Sequence, residues 1–318
     1  MATSGGAAPG SAQHPDHRQW AKPGDGWVDC RCGSQHWGLL GAAGLLLTDG
    51  AIRDPAIVLQ HRSLWSHQGG TWGIPGGAIA PGESAADAAL REAREEAGVP
   101  AEAVRVWASY LLQHPDWTYT TIVGESARRF RPIPTDTESL ELAWVPVADV
   151  PDRMLLPAFA AAWPNLLRLV GRRVLVVVDA ANVIGTRPDG WWRDRPTAAR
   201  RLHEATRTAL ESGLSAGTLK LPGEQWWPDV LLVLEGEARA AELEGDAGGP
   251  STEPRVRVAR APASGDDEIV AQTSAALASD YTDAVVVTAD RRLAERVRGA
   301  GAAVASPRAF LDALTDRA

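Results

Sequence analysis

Gly77–Val99 reads GAIAPGESAADAALREAREEAGV, and the spacing of its charges dictates both a local fold and a chemistry. Ser84 stands where a helix N-cap belongs, Asp87 three residues later sits as in a capping box, and Gly98 suits a left-handed helix end. Ala86, Ala89, Leu90, Ala93 and Ala97 recur at helical spacing and predict the buried face. Glu92, Glu95 and Glu96 lie three and four residues apart, so a helix places their carboxylates on neighbouring positions of one surface. Like charges so arranged weaken an isolated helix. No lysine in the run balances them, and a cluster of hard oxygen donors is what Mg2+ or Mn2+ requires. Just upstream, Trp72-Gly73-Ile74-Pro75-Gly76-Gly77 is a turn-rich approach that lets backbone come close to a ligand or metal.

The fixed positions follow G-x5-E-x7-R-E-U-x-E-E-x-G-U, with U small or aliphatic. Gly77, Glu83, Arg91, Glu92, Ala93, Glu95, Glu96, Gly98 and Val99 fill it without a gap. This stretch resembles the Nudix box. The resemblance covers residues 36–165 and implies an α/β/α sandwich that hydrolyses the diphosphate bond of a nucleoside diphosphate derivative. It implies that Glu92, Glu95 and Glu96 hold Mg2+ or Mn2+, that Arg91 positions them, and that Gly77 and Glu83 belong to the cofactor site. The Gly77 carbonyl is an added ligand on this reading. It also implies a base from the loop before a late strand, where Glu138 is preferred to Glu141, a strand residue expected to point outward. Two substrate classes stay open. Pro115, sixteen positions after Val99, resembles ADP-ribose-hydrolysing relatives, whereas the compact strands around it look equally like the branch acting on modified nucleoside triphosphates.

Around the box the chain alternates strand and turn. Leu39–Leu47, Ala56–Gln60, Val104–Gln113, Thr118–Gly124 and Ser139–Pro146 read as strands, and Ala158–Leu169 as a closing helix. Length allows two domains of ordinary size in 318 residues. The net charge of -8 argues against a broadly basic nucleic-acid coat but permits a local basic groove. Two cysteines form no disulfide framework, so a reducing cytoplasm is expected, with no membrane partner because no apolar leader or spanning segment is evident. Residues 1–35 read as a disordered or extended segment rich in Gly, Ala, Ser and Pro. Within and just after it, Cys30, Cys32 and His36 offer three zinc-type ligands, with Asp29 or His17 as poor candidates for a fourth. Reduced, partly buried thiols are the simpler reading.

Near residue 170 the chain changes character. Arg173–Asp179 is a continuous β-branched run typical of a central parallel strand. Asp229–Leu234, Ala284–Thr288 and Ala302–Ala305 are further strands. Pro196–Leu210, Asp266–Ala278, Arg291–Arg298 and Arg308–Leu314 are helices, predicting a three-layer α/β unit with a parallel sheet over 172–318. Glu235–Pro262 reads as a mobile loop. Acids recur where strands end, and ligands of open parallel sheets bind beyond those ends. VLVVVDAANVIG, VLLVLEG, GDDEIV and VVVTADRRL, in that order, resemble the NYN branch of the PIN-like nucleases. That resemblance implies a Mg2+- or Mn2+-dependent ribonuclease acting on single-stranded RNA. Asp179, Glu235, Asp266 and Asp290 take the metal positions, and Asn182 the asparagine position. Glu235 departs from the Asp often found there. Trp191, Trp192, Arg193, Arg195, Trp226 and Trp227 are candidates to stack on and clamp such a strand. Two other readings remain: an RNA-binding or regulatory C-terminal module without cleavage, and a Nudix half that only senses nucleotides.

Overall fold

The computed structural model describes residues 22–66, 68–135, 137–186, 191–243 and 255–315. The first described element is a hairpin of β1 (Trp27–Asp29) and β2 (Gln35–Trp37). It lies at the end of the stretch read as disordered or extended; residues 1–21, including His17, lie outside the described part.

Next come β3 (Ala42–Thr48), β4 (Ala56–Arg62), β5 (Trp72–Gly73), β6 (Gly76–Ala78), α1 (Ala85–Ala97), β7 (Val104–Gln113), β8 (Thr118–Ser126), β9 (Ser139–Pro146) and α2 (Pro157–Leu166). Side chains of a strand alternate between faces, and β3 shows why a sandwich results. Ala43, Leu45 and Leu47 pack against Ala88, Ala89, Ala93 and Ala97 of α1, while Leu46 points to the opposite layer with Phe159, Trp163 and Leu166 of α2. The small alanines let α1 lie close to the sheet. Of the predicted face, Ala86 and Leu90 are only partly buried; Ala88, not predicted, is fully buried. β3 runs parallel to β8 and antiparallel to β6, which sets the glycine-rich segment beside the middle of the sheet.

The second half contains β10 (Val174–Asp179), α3 (Ala180–Gly185), α4 (Arg195–Ser212), β11 (Leu214–Ser215), α5 (Ala216–Leu219), β12 (Gln225–Trp226), β13 (Asp229–Leu234), β14 (Val256–Arg260), α6 (Gly265–Ala278), β15 (Asp283–Val287), α7 (Arg291–Gly299), β16 (Ala303–Ala305) and α8 (Pro307–Thr315). Five strands form a parallel sheet in the order β14-β13-β10-β15-β16. Val174, Val176 and Val178 of β10 face one core, and Leu175 and Val177 the other. Both faces are thus covered, as the unbroken β-branched run demands. β14 corrects the reading of Glu235–Pro262 as loop throughout: Val256–Arg260 is an edge strand, while residues 244–254 lie outside the described part.

The two halves share structure that the sequence did not signal. β11 and β12, from the second half, extend the first sheet beyond β7 through the Trp226–Ala108 pairing. Trp227 donates its main-chain N–H to Trp107 at 2.9 Å, and Glu224 to Ser109 at 2.8 Å. Trp226 is fully buried, and its indole Nε1 donates to the Pro222 carbonyl at 2.7 Å. Trp227 is 8% exposed. Neither therefore offers a ring face to a nucleic acid, which corrects that expectation. Trp192 remains exposed; the Trp191 side chain lies outside what is described. No described helix is long and apolar enough to cross a membrane.

Candidate active site

The acidic face of α1 is built as its sequence dictates. Ser84 Oγ accepts from Asp87 N at 3.1 Å and opens the helix; Gly98, at φ 62°, closes it in the left-handed region. Glu92 and Glu96 fall on the sheet-facing side and are buried, whereas Glu95 stands half-exposed on the flank. Glu96 Oε2 accepts from Gly76 N at 3.0 Å. At Gly77 a Cβ would lie 2.6 Å from the Glu92 carboxyl carbon, so any larger residue there would push that carboxylate off its place against β6.

Arg91 ties the group together. Its Nε donates to Glu83 Oε1 at 2.7 Å and its Nη2 to Glu83 Oε2 at 2.9 Å, a two-pronged geometry that fixes the guanidinium plane. Nη2 also reaches the Ala78 carbonyl at 3.0 Å, and Nη1 donates to Glu92. Glu95 lies 3.7 Å from Nη1. Glu83 in turn accepts from Ala80 N at 3.0 Å, anchoring the loop between β6 and α1. Arg91 accordingly holds the Glu83 carboxyl below the usual carboxylate range. Burial pushes Glu92 above that range, against the pull of Arg91 and Lys22.

A pH dependence follows from Glu83. Its depressed folded value means that its contribution to stability is present above the unfolded pKa of about 4.3 and is lost as pH falls through the lower folded value. Glu83→Gln is therefore expected to be less stable than the parent chain in urea at pH 7, with the difference vanishing in strong acid. A gap that persists undiminished below both pKa values would mean that the bond to Arg91 is not the cause.

Lys22 is an addition that the sequence reading missed. The run itself lacks lysine, but the segment ahead of β1 brings the Lys22 ammonium onto Glu95. Its pKa is raised by Glu95 foremost and also by Glu92. Tyr119 of β8 is a second. Its hydroxyl abuts the backbone of Gly44 and Gly76. Burial first, then the charges of Glu96 and Glu92, holds the phenol well above its ordinary value, so it stays a neutral donor. Only the pairing of β8 with β3 brings Tyr119 here; nothing in its local sequence does.

Glu138 precedes β9 on an exposed loop, where its carbonyl accepts from Ser63 N at 2.7 Å. Glu141 is exposed on β9 opposite His61. Pro115 sits in the turn between β7 and β8, its carbonyl accepting from Arg31 at 3.1 Å.

The donor set fits a hard divalent cation. Glu92 and Glu96 border the Gly76–Gly77 backbone, with Glu95 on the adjoining flank. Their oxygens are not drawn within 4.8 Å of one another as a group, since Arg91 and the Gly76 N–H hold Glu92 and Glu96 on separate partners.

In the parallel sheet the strand order changes direction between β10 and β15, the position where open α/β sheets leave a crevice. Asp179, ending β10, accepts from Thr288 Oγ1 at 2.9 Å across that gap and from Asn182 N at 3.0 Å. Asn182 Oδ1 accepts from Ala289 N at 3.0 Å, tying α3 to the end of β15. Asp290 accepts from Leu293 N at 2.8 Å as the cap of α7, and Glu235 from Gly265 N at 2.9 Å. Asp266 lies close enough to be acted on by Asp290 and Glu235. Burial, supplemented by the charges of Asp266 and Glu235, raises Asp179. Burial, then Asp290, likewise raises Asp266. The four acids thus lie at one end of the sheet, though no three of their oxygens come within 4.8 Å of one another.

A NUDIX-domain family model matches residues 39–168. The "Nucleoside triphosphate pyrophosphatase/Nudix hydrolase fusion protein" of Bifidobacterium longum is 50% identical over 152 residues, which make up 45% of this chain and 31% of that protein. The chain thus spans about a third of the length of that relative. The "Putative 8-oxo-dGTP diphosphatase 3" of Mycobacterium tuberculosis is 46% identical over 153 residues, 45% of this chain and 69% of that protein. A crystal structure of a Nudix hydrolase from M. smegmatis, RenU, shares 42% identity, covering 46% of this chain and 94% of that one, with a TM-score of 0.42. Agreement of this extent with the mycobacterial relative, together with the matched domain, shows that the chain belongs to the Nudix hydrolase family.

Proposed function

We propose that this chain hydrolyses the diphosphate bond of a modified nucleoside triphosphate, with Glu92, Glu95 and Glu96 holding Mg2+ or Mn2+. The observation that carries the reading is the pair of buried glutamates on one helix face, Glu92 set against Gly77 and held by Arg91, Glu96 accepting from the Gly76 N–H. Carboxylates gathered on one helix face are the hard oxygen donors that a divalent cation takes. When bound, the cation supplies Lewis-acid polarisation of the diphosphate. The chain's own residues do the positioning. Arg91 fixes Glu92 relative to Glu83, and the Gly76 N–H orients Glu96. The Gly77 carbonyl is the candidate added ligand, and Glu138, on its exposed loop, is the candidate base. Lys22 lies on Glu95 at the rim, where its charge also suits the outer phosphates.

Between the two substrate classes, the 46% identity to a relative named for 8-oxo-dGTP favours an oxidised nucleoside triphosphate over ADP-ribose. Assay of 8-oxo-dGTP, dGTP, ADP-ribose and capped dinucleotides with Mg2+ tests this. The expected ranking puts 8-oxo-dGTP first; a clear preference for ADP-ribose overturns the substrate but not the bond cleaved.

A second reading concerns the parallel sheet. The placement of Asp179, Glu235, Asp266 and Asp290 at one end of the sheet, with burial and mutual repulsion raising Asp179 and Asp266, supports a PIN-like metal-dependent ribonuclease. Labelled single-stranded RNA with Mn2+ is expected to be cut, and Asp179→Asn to remove the cleavage. Binding without cleavage, equal in both proteins, would leave an RNA-binding or regulatory module instead.

A further inference from the structure

The hairpin of β1 and β2 carries a side-chain cluster that diphosphate chemistry does not use. Ligand atoms of Cys30, Cys32 and His36 all lie within 4.8 Å of one another. Cys32 Sγ is 3.2 Å from His36 Nε2. Zinc–sulfur and zinc–nitrogen distances of about 2.3 and 2.0 Å put neighbouring donors of a tetrahedral site roughly 3.5–3.8 Å apart, so small side-chain rotations suffice to close the three. The hairpin turn is made for this. Gly33, at φ 89°, donates to the Cys30 carbonyl at 2.9 Å, and Cys30 N donates to the Ser34 carbonyl at 3.1 Å. Cys30 is buried and Cys32 exposed, which gives a metal a way in.

A segment distant in sequence is pinned against the same cluster. His114, just past β7, packs its ring 4.3 Å from that of His36. On its flank His36 stacks on Trp117 at 4.4 Å and 9°. The Trp117 indole donates to the carbonyls of Trp37 and Gly38, both at 3.1 Å. Arg31 holds Asp116 through its main-chain N–H at 2.8 Å and its Nε at 2.8 Å. The turn between β7 and β8 is therefore presented to the hairpin with an imidazole at the cluster's edge.

We propose that Cys30, Cys32, His36 and His114 form a structural zinc site that staples the N-terminal hairpin to the turn between β7 and β8. Two thiolates and two imidazoles are the soft and intermediate donors of closed zinc sites, unlike the hard carboxylate sets on α1 and at the parallel sheet. His114 lies outside the group of three within 4.8 Å and reaches the fourth position by rotating its side chain. Each thiol releases its proton to solvent as the metal enters. The staple bears on the α1 site through the backbone: Gly26 and Gly24 accept from Gly38 at 2.8 Å and Leu39 at 2.9 Å, which sets the position of Lys22 next to Glu95.

Elemental analysis of the full chain, purified under reducing conditions, is expected to give about one tightly held zinc per molecule. Exchange for Co2+ should give thiolate-to-cobalt charge-transfer absorption with the visible bands of a tetrahedral site. Cys32→Ser should abolish that absorption and weaken zinc on the order of 100-fold or more, because even partners one layer further out cost about 10–100-fold. Cys32 is exposed, so the variant should fold, as circular dichroism can check. His114→Ala should weaken zinc at least about tenfold. Glu92→Gln and Asp179→Asn should leave the absorption unchanged. A parent chain without thiolate–cobalt absorption, or absorption that survives Cys32→Ser or is lost in Glu92→Gln, overturns the site. Unaltered zinc affinity in His114→Ala overturns the fourth ligand.

Discussion

Glu96→Gln and Glu92→Gln are each expected to lower nucleotide hydrolysis on the order of 100- to 1,000-fold while leaving the chain folded. A cation at a diphosphate supplies several kcal/mol of stabilisation to the reacting phosphate, and each 1.4 kcal/mol is tenfold in rate. The amide is a sparing change at both positions. In Glu96→Gln the carbonyl oxygen still accepts from Gly76 N, and the volume is nearly the same. In Glu92→Gln, Arg91 keeps its two bonds to Glu83. Burial is what raises Glu92, and an amide there avoids the cost of burying a charge, so the folded state without metal should be retained. Initial rates with 8-oxo-dGTP and Mg2+, alongside thermal melts, decide the matter. Turnover intact in both variants would falsify the assignment of these glutamates.

Asp229→Ala should be among the most damaging changes to stability, at about 3–5 kcal/mol. Asp229 is buried at the start of β13, paired with Arg105 of β7 and accepting from the Tyr281 hydroxyl at 2.8 Å. Arg255 lies near both. Its guanidinium donates to the Val106 carbonyl at 2.7 Å and to Trp227. Burial and the charge of Arg105 pull it down to about 10, so it remains charged at neutral pH. Removing Asp229 would leave two guanidiniums close together with their nearby acid gone. An ion pair screened by solvent costs only about 0–1 kcal/mol to break, which sets the alternative clearly apart. Urea unfolding at pH 7 gives the answer: a loss below about 1 kcal/mol would show the pair to be effectively solvent-exposed. Because Arg105 and Asp229 lie on different sheets, the same variant should also loosen the coupling between them. Two separated transitions in place of one would report that directly.

The helix of the acidic run was legible residue by residue, because its signals are local. Ser84, Asp87 and Gly98 act within one turn of where they stand, and an alanine face at helical spacing needs only a sheet to cover it. Strands such as Ser139–Pro146 and Asp229–Leu234 were equally plain, since alternation or unbroken burial writes itself into composition. The acids at the ends of the parallel strands were readable for the same reason: in such a sheet, strand ends share one edge whatever the loops do.

Other features depend on partners far along the chain. β12 is two residues long and has no periodicity to read; it exists because the edge of β7 offers it a ladder. Trp226 and Trp227 suited stacking on a base as well as core packing, and the pairing with β7 settled them as core. Val256–Arg260 follows a long Gly- and Glu-rich stretch and reads with it as loop, and pairing with β13 makes it a strand. The sequence alone determined that a capped helix would carry three acids on one surface, because helix geometry converts spacing into proximity without outside help. Tertiary structure alone decided that Glu92 and Glu96 would be buried against Gly76 and Gly77, that Lys22 and Tyr119 would join them, and that His114 would meet His36. Those contacts are made by chain segments that hydrophobic burial and strand pairing bring together, and a local sequence can show that a segment will be buried or paired without showing which distant segment it will meet.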